Sequence, residues 1–138
     1  MLSGKKTVEF LQSTDLFAKI PERQLRSICG IVQEVDYPPG HILCHEGDLG
    51  DSLYLLVGGE VALIKGTTQV MTFRHSGDCI GEMALIASEP RSATLKTTVM
   101  TKLLVIERDD LFRAMAHEPS ISDGMFSVLT EKGVRIRE

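Results

Sequence analysis

The chain begins with two apolar segments at helical spacing. Leu25 and Ile28 stand three positions apart in the second of them, which places both side chains on one face of a helix. Pro21 precedes this segment and Gly30 follows it, and these residue types favour the beginning and the end of a helix. The pattern predicts two small helices within about residues 5–30, one on each side of a turn at DLFAKI.

From Val32 onwards the pattern changes to short apolar runs separated by turn residues. These runs have six to eight residues, within the usual range of β-strands, and they read IVQEVDY, HILCHE, SLYLLV, EVALIK, QVMTFR, SATLKTTV and TKLLVIE. Gly58-Gly59 separates two of the runs, and a Gly-Gly pair in such a position predicts a β-hairpin. Seven or eight short strands with regular turns predict a sandwich or small barrel over about residues 31–107.

The helical pattern returns after the last strand-like run. RDDLFRAMAHE places Leu111 and Met115 on one side of a helix, and SISDGMFSVLTEKGVRIRE repeats the pattern until Gly133. We therefore predict C-terminal helices within about residues 108–136. The whole chain, residues 1–138, is expected to form one mainly β domain with helices at both ends.

Composition and charge narrow the functional classes. The chain is 43% hydrophobic and 25% charged, as in ordinary globular proteins. Its net charge of −4 gives no support for direct nucleic-acid binding, because a phosphate backbone attracts a basic face. Cys29, Cys44 and Cys79 lie far apart without a C-x-x-C spacing, so we expect reduced thiols in a cytoplasmic protein. No apolar run approaches a membrane span, and MLSGKKTVEF does not resemble a signal peptide.

The candidate ligand-binding residues of the chain lie in IGEMALIASEPRSAT, residues 80–94. Gly81 begins an apolar run that is compatible with a short helix inserted between strands. The first turn of a helix presents unpaired N–H groups and a positive dipole end, which favour an anion. Gly81 itself has no side chain, so a ligand can approach the backbone closely there.

The polar residues around this run suit a nucleotide monophosphate. Arg91 offers a planar fork for a phosphate, Ser92 offers a hydroxyl, and Ala93 is small enough to leave its N–H accessible. Glu82 would repel a phosphate, but it can accept a hydrogen bond from a nearby sugar hydroxyl. Each residue also has an ordinary interpretation: Glu82 as an acid in a first helical turn, and Arg91 as a solvated or ion-paired turn residue.

GEMALIASEPRSAT resembles the phosphate-binding cassette of cyclic nucleotide-binding domains, which occur in catabolite activator proteins, in regulatory subunits of cyclic-AMP-dependent protein kinase and in nucleotide-gated channels. HILCHEGDLGDSLYLLVGGEVAL, DLFAKIPERQL and LLVIERDDLFRAM resemble three further blocks of the family. The resemblance covers nearly the whole chain. It implies an eight-stranded jelly-roll-like β-barrel with a short inserted phosphate-binding helix, and a regulatory module rather than an enzyme.

The resemblance also implies roles for individual residues. Glu82 would accept a hydrogen bond from the ribose 2′-hydroxyl, and Arg91 would pair with an exocyclic phosphate oxygen. The remaining residues of the implied cyclic nucleotide site are Gly81, Met83, Ala84, Ser92 and Ala93.

A second group of residues is implied to shape the neighbouring loop. Gly47, Gly50 and Gly58 would serve backbone shape rather than ligand contact. Asp48 and Asp51 would hold the loop together.

The resemblance also bears on which nucleotide is bound and on which residues cover its base. In the family, a threonine after the arginine accompanies cyclic GMP, whereas Ser92 here resembles the bacterial cyclic-AMP pattern. Cyclic AMP is the first expectation and cyclic GMP the alternative, with no other cofactor. Candidates for covering the base are Met125, Phe126, Val128 and Leu129, although packing against the barrel explains them more simply.

Three alternatives remain open on the sequence. A cupin-type metalloenzyme is suggested by His41, His45, Glu46 and His75, but the cupin His-x-His core is missing. A domain that has lost ligand binding and serves only for docking to other proteins is disfavoured, because Glu82 and Arg91 are both present. A complete catabolite-activator-type transcription factor would need a helix-turn-helix after the barrel. The effector is undetermined, and a homodimer through the C-terminal helix is compatible with the family.

Overall fold

The computed structural model describes residue 2, residues 4–82 and residues 90–131. Helices occupy both ends of this part of the chain and eight strands lie between them, as the sequence predicts. The helices are α1 (Gly4–Ser13), α2 (Glu22–Cys29), α3 (Arg108–His117) and α4 (Pro119–Glu131). The strands are β1 (Val32–Tyr37), β2 (Ile42–Cys44), β3 (Ser52–Gly58), β4 (Val61–Lys65), β5 (Thr68–Phe73), β6 (Cys79–Ile80), β7 (Thr94–Thr97) and β8 (Thr101–Glu107).

The strands form two four-stranded antiparallel sheets, with the orders β1-β8-β3-β6 and β2-β7-β4-β5. The first strand pairs with the eighth, the second with the seventh, the third with the sixth and the fourth with the fifth. This is the pairing of one long hairpin rolled into two layers, and it confirms the jelly-roll-like, mainly β prediction. In residues 4–82 and 90–131, no strand pairing joins the two sheets, so the two layers are held together by side-chain packing and strand pairing does not close a barrel.

The prediction of a hairpin at Gly58-Gly59 is wrong. β3 and β4 lie in different sheets, so the chain crosses here from one layer to the other. Gly59 has a φ of +111°, and a Cβ atom on it would lie 2.5 Å from Oγ1 and 2.6 Å from Cα of Thr101. The glycine is required because the chain bends tightly over β8. The local hairpin is instead β4–β5, closed between the paired residues Lys65 and Thr68.

The central strands β8 and β3 of the sheet β1-β8-β3-β6 are apolar on both faces. Side chains alternate across a strand, and in β3 Leu53 and Leu55 face one buried cluster while Tyr54 and Leu56 face another. The first cluster contains the helices, and the second fills the space between the two sheets. Burial on both faces explains the continuous apolar run in this strand, and the same holds for β8. The central strands therefore contact both the helical layer and the barrel interior.

The terminal helices pack together on the outer face of this sheet. Their buried contacts come from α1, the following turn, α2, α3 and α4, through Val8, Leu11, Leu16, Phe17, Ile20, Leu25, Ile28, Leu111, Ile121, Met125 and Leu129. Pro21 precedes α2 and Gly30 follows it, as predicted. Met125, Val128 and Leu129 are buried, while Phe126 is 42% exposed. Met125 and Leu129 belong to the buried cluster, which confirms the packing interpretation for these two residues. Gly133, the predicted end of the last helix, lies outside the described residues.

The two adjacent glycines at the crossing predict different mutational effects. Gly59→Ala should destabilise the fold by about 2 kcal/mol or more, because it adds a strained positive φ to a clash with backbone atoms. Gly58→Ala is the matched control, since Gly58 has no positive φ and a Cβ atom added to it would meet no atom within 4 Å. This control should change stability by less than about 1 kcal/mol. Urea denaturation measures both, and equal midpoints would contradict this account of the crossing.

Candidate functional site

The backbone of Arg91 is held by the loop between β2 and β3. Its N–H donates to the carbonyl of Asp48 at 2.6 Å, and its carbonyl accepts from the N–H of Gly47 at 2.8 Å. Leu49 and Pro90 form an antiparallel bridge next to these bonds. The residue that carries the guanidinium is thus fixed to a loop far earlier in the chain.

The loop is shaped as the family resemblance implies for Gly47 and Asp48. Gly47 has a φ of +93°, and a carboxylate oxygen of Asp48 accepts from the N–H of His45 at 2.9 Å. The side chain of Asp51 is exposed, and its contact is made by the backbone carbonyl, which accepts from the N–H of Arg108 at 2.7 Å. Asp51 therefore holds the loop through its main chain.

The guanidinium of Arg91 lies between two glycines and on one carbonyl. Its Nη2 donates to the carbonyl of Ser52 at 2.6 Å. A Cβ atom on Gly50 would collide with Nε, and one on Gly81, whose φ is +90°, would lie 2.5 Å from Nη1. Both positions must lack a side chain for the guanidinium to stay in this place.

The expected role of two turn glycines changes accordingly. Gly50 has no positive φ, and its importance comes from the close approach of Arg91 rather than from loop shape. Gly58 has neither a positive φ nor a close neighbour, so the backbone role expected for it belongs to Gly59. In both cases the deciding contact comes from a residue distant in sequence, Arg91 for Gly50 and Thr101 for Gly59.

One donor and one acceptor of the site are buried without a partner. Nε of Arg91 and Oε2 of Glu82 have no hydrogen bond to any part of the chain that the structure describes. A buried polar atom without a partner costs about 1–3 kcal/mol, and more when the group is charged. The pair fits a ligand that offers both an anionic oxygen and a hydroxyl.

Strand β6 brings Gly81 and Glu82 to this place. Its register with β3 pairs Ile80 with Tyr54, so the next residues of the chain continue toward Ser52. A Cβ atom on Gly81 would lie 3.0 Å from the carbonyl oxygen of Ser52. The short strand therefore places the start of the cassette beside Arg91.

The charge of Arg91 reaches the interior between the sheets. Burial raises the pKa of the Cys44 thiol, and the Arg91 charge lowers it in part. Burial likewise raises the pKa of the Tyr54 phenol, again opposed by Arg91. Sγ of Cys44 lies 3.9 Å from the carbonyl of Ala93. The charge of Arg91 therefore acts on two groups of the interior between the sheets, where burial also removes a group partly from water.

The structure places Gly81 next to the guanidinium of Arg91, and Glu82 follows Gly81 in the chain; their roles in ligand binding stay predictions. Ser92 is exposed and Ala93 is 4% exposed, while Met83 and Ala84 lie outside the described residues. Sequence analysis missed Ser52, whose carbonyl seats the guanidinium. A serine at the start of a strand carries no motif, and the contact spans 39 positions, so local pattern could not reveal it.

The cupin-type alternative finds no cluster to support it. Across residues 4–82 and 90–131, no group of three or more histidine, cysteine or acidic side chains is placed to hold a metal ion. The ring of His41 lies against Tyr37, with centroids 4.6 Å apart. As for a membrane, none of the helices described here has both the length and the apolarity to cross one.

Comparison with known proteins identifies the family. The sequence model of the "Cyclic nucleotide-binding domain" family matches residues 34–118, which includes both sheets' central strands and the Gly81–Ala93 segment. This chain belongs to the cyclic nucleotide-binding domain family, and the resemblance seen in its motifs is confirmed.

Relatives and solved structures agree with this assignment. The chain is 27% identical over 90% of its length to a CRP-like cAMP-activated global transcriptional regulator of Mycobacterium tuberculosis. It is 34% identical over 79% of its length to a cGMP-dependent protein kinase of Toxoplasma gondii. The chain spans 57% of the first relative and 11% of the second. A crystal structure of a cyclic nucleotide-binding domain from Methylobacillus flagellatus KT has a TM-score of 0.77 and 28% identity, covering 94% of this chain and 77% of that one.

The position of Arg91 can be tested through Cys44 without any ligand. The test uses a Cys29→Ser, Cys79→Ser background, in which Cys44 is the remaining cysteine. Arg91→Gln should raise the pKa of Cys44 further, because the positive charge of Arg91 stabilises the thiolate and the substitution removes it. The pH dependence of iodoacetamide alkylation reports the titration. Arg74→Gln, which removes an exposed arginine, serves as the control and should leave it unchanged. An identical alkylation profile in the two variants would place Arg91 away from the interior.

Proposed function

We propose that this regulatory domain binds a cyclic nucleotide at Gly81, Glu82 and Arg91, with cyclic AMP as the preferred ligand. The observation that carries the proposal is that Nε of Arg91 and Oε2 of Glu82 are both buried without a hydrogen-bond partner among the described residues. A cyclic phosphate next to a ribose hydroxyl supplies one partner for each. The family assignment supports the same ligand class.

The hydrogen bond to Ser52 determines which N–H groups of the Arg91 guanidinium remain for a phosphate. The carbonyl of Ser52 accepts from Nη2, Nε has no partner in residues 4–82 and 90–131, and Nη1 faces Gly81. Nε–H shares one edge of the guanidinium with Nη2, so a phosphate can accept from Nε and from the second hydrogen of Nη2, in the paired geometry that a planar guanidinium favours. Gly81 and the small, buried Ala93 keep the backbone close to the ligand. In the proposal, Met83, Ala84 and Ser92 complete the phosphate-binding segment.

Glu82 distinguishes a nucleotide from a simple anion. A carboxylate next to a phosphate site weakens the binding of inorganic phosphate, because like charges repel. The same carboxylate gains from a ribose 2′-hydroxyl, which donates to the oxygen that is now unpaired. The arrangement thus favours a phosphate that carries a sugar.

The preference for cyclic AMP rests on Ser92, where the family's cyclic-GMP pattern has threonine. The relatives carry both descriptions, a cAMP-activated regulator and a cGMP-dependent kinase. Ser92 is exposed and still offers a hydroxyl, and one such hydrogen bond is worth about 0.5–1.5 kcal/mol. We therefore expect a moderate preference, with cyclic GMP binding more weakly at the same site.

Occupancy of the site is proposed to act through the C-terminal helices on an effector in the same or another chain. The sheet β1-β8-β3-β6 supports this route, because β3 and β8 contact the space between the sheets on one face and the helical layer on the other. A second copy of the chain, paired through the C-terminal helix, is one effector arrangement compatible with the proposal. We place the domain in a reducing cytoplasm, where thiols stay reduced; among the described residues, Cys29, Cys44 and Cys79 form no disulfide.

Replacement of Arg91 tests the proposed function most simply. Arg91→Ala should weaken binding of cyclic AMP by about 2–4 kcal/mol, because it removes the charged partner of a partly buried phosphate. Arg74→Ala is the control, since Arg74 is exposed and its guanidinium donates to the hydroxyl of Thr72, away from the site. Isothermal titration calorimetry with cyclic AMP and cyclic GMP measures both the loss and the preference. Unchanged affinity in Arg91→Ala would remove the basis of the proposal.

Glu82 can be tested with a ligand that lacks one hydroxyl. The protein should bind cyclic AMP at least about tenfold more tightly than 2′-deoxy cyclic AMP, because a carboxylate accepts the missing hydroxyl's hydrogen bond. Glu82→Gln should reduce this ratio, while Glu9→Gln, an exposed substitution on α1, should preserve it. Competition binding of both ligands to each variant gives the ratios needed. If the ratio stays the same in Glu82→Gln, the ribose contact is made elsewhere.

A further inference from the structure

Ser52 connects the proposed anion site, formed by Gly81, Glu82 and Arg91, to the beginning of α3. Its carbonyl accepts from Nη2 of Arg91 at 2.6 Å. Its hydroxyl lies 3.2 Å and 3.1 Å from the two carboxylate oxygens of Glu107, and Glu107 is the N-cap residue of α3. One residue therefore contacts both the guanidinium and the first turn of a C-terminal helix.

The neighbouring residue ties the same two places together through the main chain. The carbonyl of Asp51 accepts from the N–H of Arg108, the first residue of α3, at 2.7 Å. The guanidinium of Arg108 lies over the ring of Phe112, 4.5 Å from its centroid. Residues 51–52 are thus attached to α3 by one backbone bond and one side-chain bond, and a shift of this pair must move or strain the helix start.

The carboxylate of Glu107 does not cap its own helix. An acidic group at an N-cap can accept from the unpaired N–H groups of the first turn, yet Glu107 makes no side-chain cap bond to α3. It accepts from Ser52 instead. The position therefore carries two competing acceptor roles, and the structure shows the one that holds Ser52.

We propose that Ser52 and Glu107 are positioning residues for the anion site and link its occupancy to α3. Glu107 fixes Ser52, the carbonyl of Ser52 orients Arg91, and the Nε edge of Arg91 faces the ligand. A phosphate that draws on the guanidinium changes the bond to Ser52, and the change reaches Glu107 and the first turn of α3. This inference rests on the cyclic-nucleotide function proposed above.

The test uses affinity for cyclic AMP in matched variants of the whole chain. Ser52→Ala and Glu107→Gln should each weaken binding about threefold to tenfold, the range expected for one hydrogen bond at a partly exposed place. The double variant should be no weaker than the weaker single variant, because the two residues act through one bond. Ser52→Thr keeps the hydroxyl and should restore affinity to within about twofold. Thermal unfolding checks that each variant is folded.

A similar hydroxyl–carboxylate bond beyond the other end of β3 provides the control. The hydroxyl of Thr98 donates to Oε1 of Glu60 at 2.7 Å, so Glu60→Gln weakens the same type of bond away from Arg91. This variant should bind cyclic AMP like the unmodified protein. Equal losses in Glu60→Gln and Glu107→Gln would assign the effect to general loosening of the barrel and overturn the inference.

Amide hydrogen exchange distinguishes a role in transmission from a purely structural role of Ser52 and Glu107. Adding cyclic AMP at saturation should change the exchange of amides in residues 108–117, and this change should shrink in Ser52→Ala and Glu107→Gln even when the site is fully occupied. If the unmodified protein does not bind cyclic AMP, the proposed function fails. If it binds but the variants match it in affinity and exchange, only the positioning role of Ser52 and Glu107 is overturned.

Discussion

The position of the Arg91 guanidinium is the constraint on which the rest of the site depends. It occupies a place that a Cβ atom on Gly50 or Gly81 would fill, and Ser52 fixes one of its nitrogens. The guanidinium is always charged and strongly prefers paired acceptors. One nitrogen is satisfied by the chain and Nε is left buried without a partner among the described residues, so in the proposed function the arrangement is preorganised for an anion. Such preorganisation reduces the ordering cost of binding.

The jelly-roll topology makes this arrangement possible. Pairing the third strand with the sixth brings Gly81 to the start of β3, where Ser52 lies. The β2–β3 loop then fixes the main chain of Arg91 through Gly47 and Asp48. The same β3 is buried on both faces, so the strand that begins at the anion site also supports the helical layer. The proposed binding and its transmission therefore share one structural element.

Much of the fold was predictable because apolar periodicity is a local property. The helices and seven of the strands follow from it, whereas β6, with two residues, is too short to leave a pattern. The hairpin at Gly58-Gly59 was mispredicted because pairing in a jelly roll joins strands distant in sequence. Glu82 and Arg91 were recognisable from their motif. Gly50 and Ser52 were not recognised as parts of the anion site, because their importance arises only when residue 91 folds back onto them.

The most direct test of the account is the Nε–Hε resonance of Arg91 in ¹H–¹⁵N NMR spectra, assigned by its loss in Arg91→Lys. The account predicts that cyclic AMP moves this resonance strongly at saturation, because the unpaired Nε–H gains a phosphate oxygen as acceptor. Signals of exposed arginines such as Arg23 and Arg74 should stay in place. An Arg91 resonance that does not move while cyclic AMP is bound would contradict the central claim.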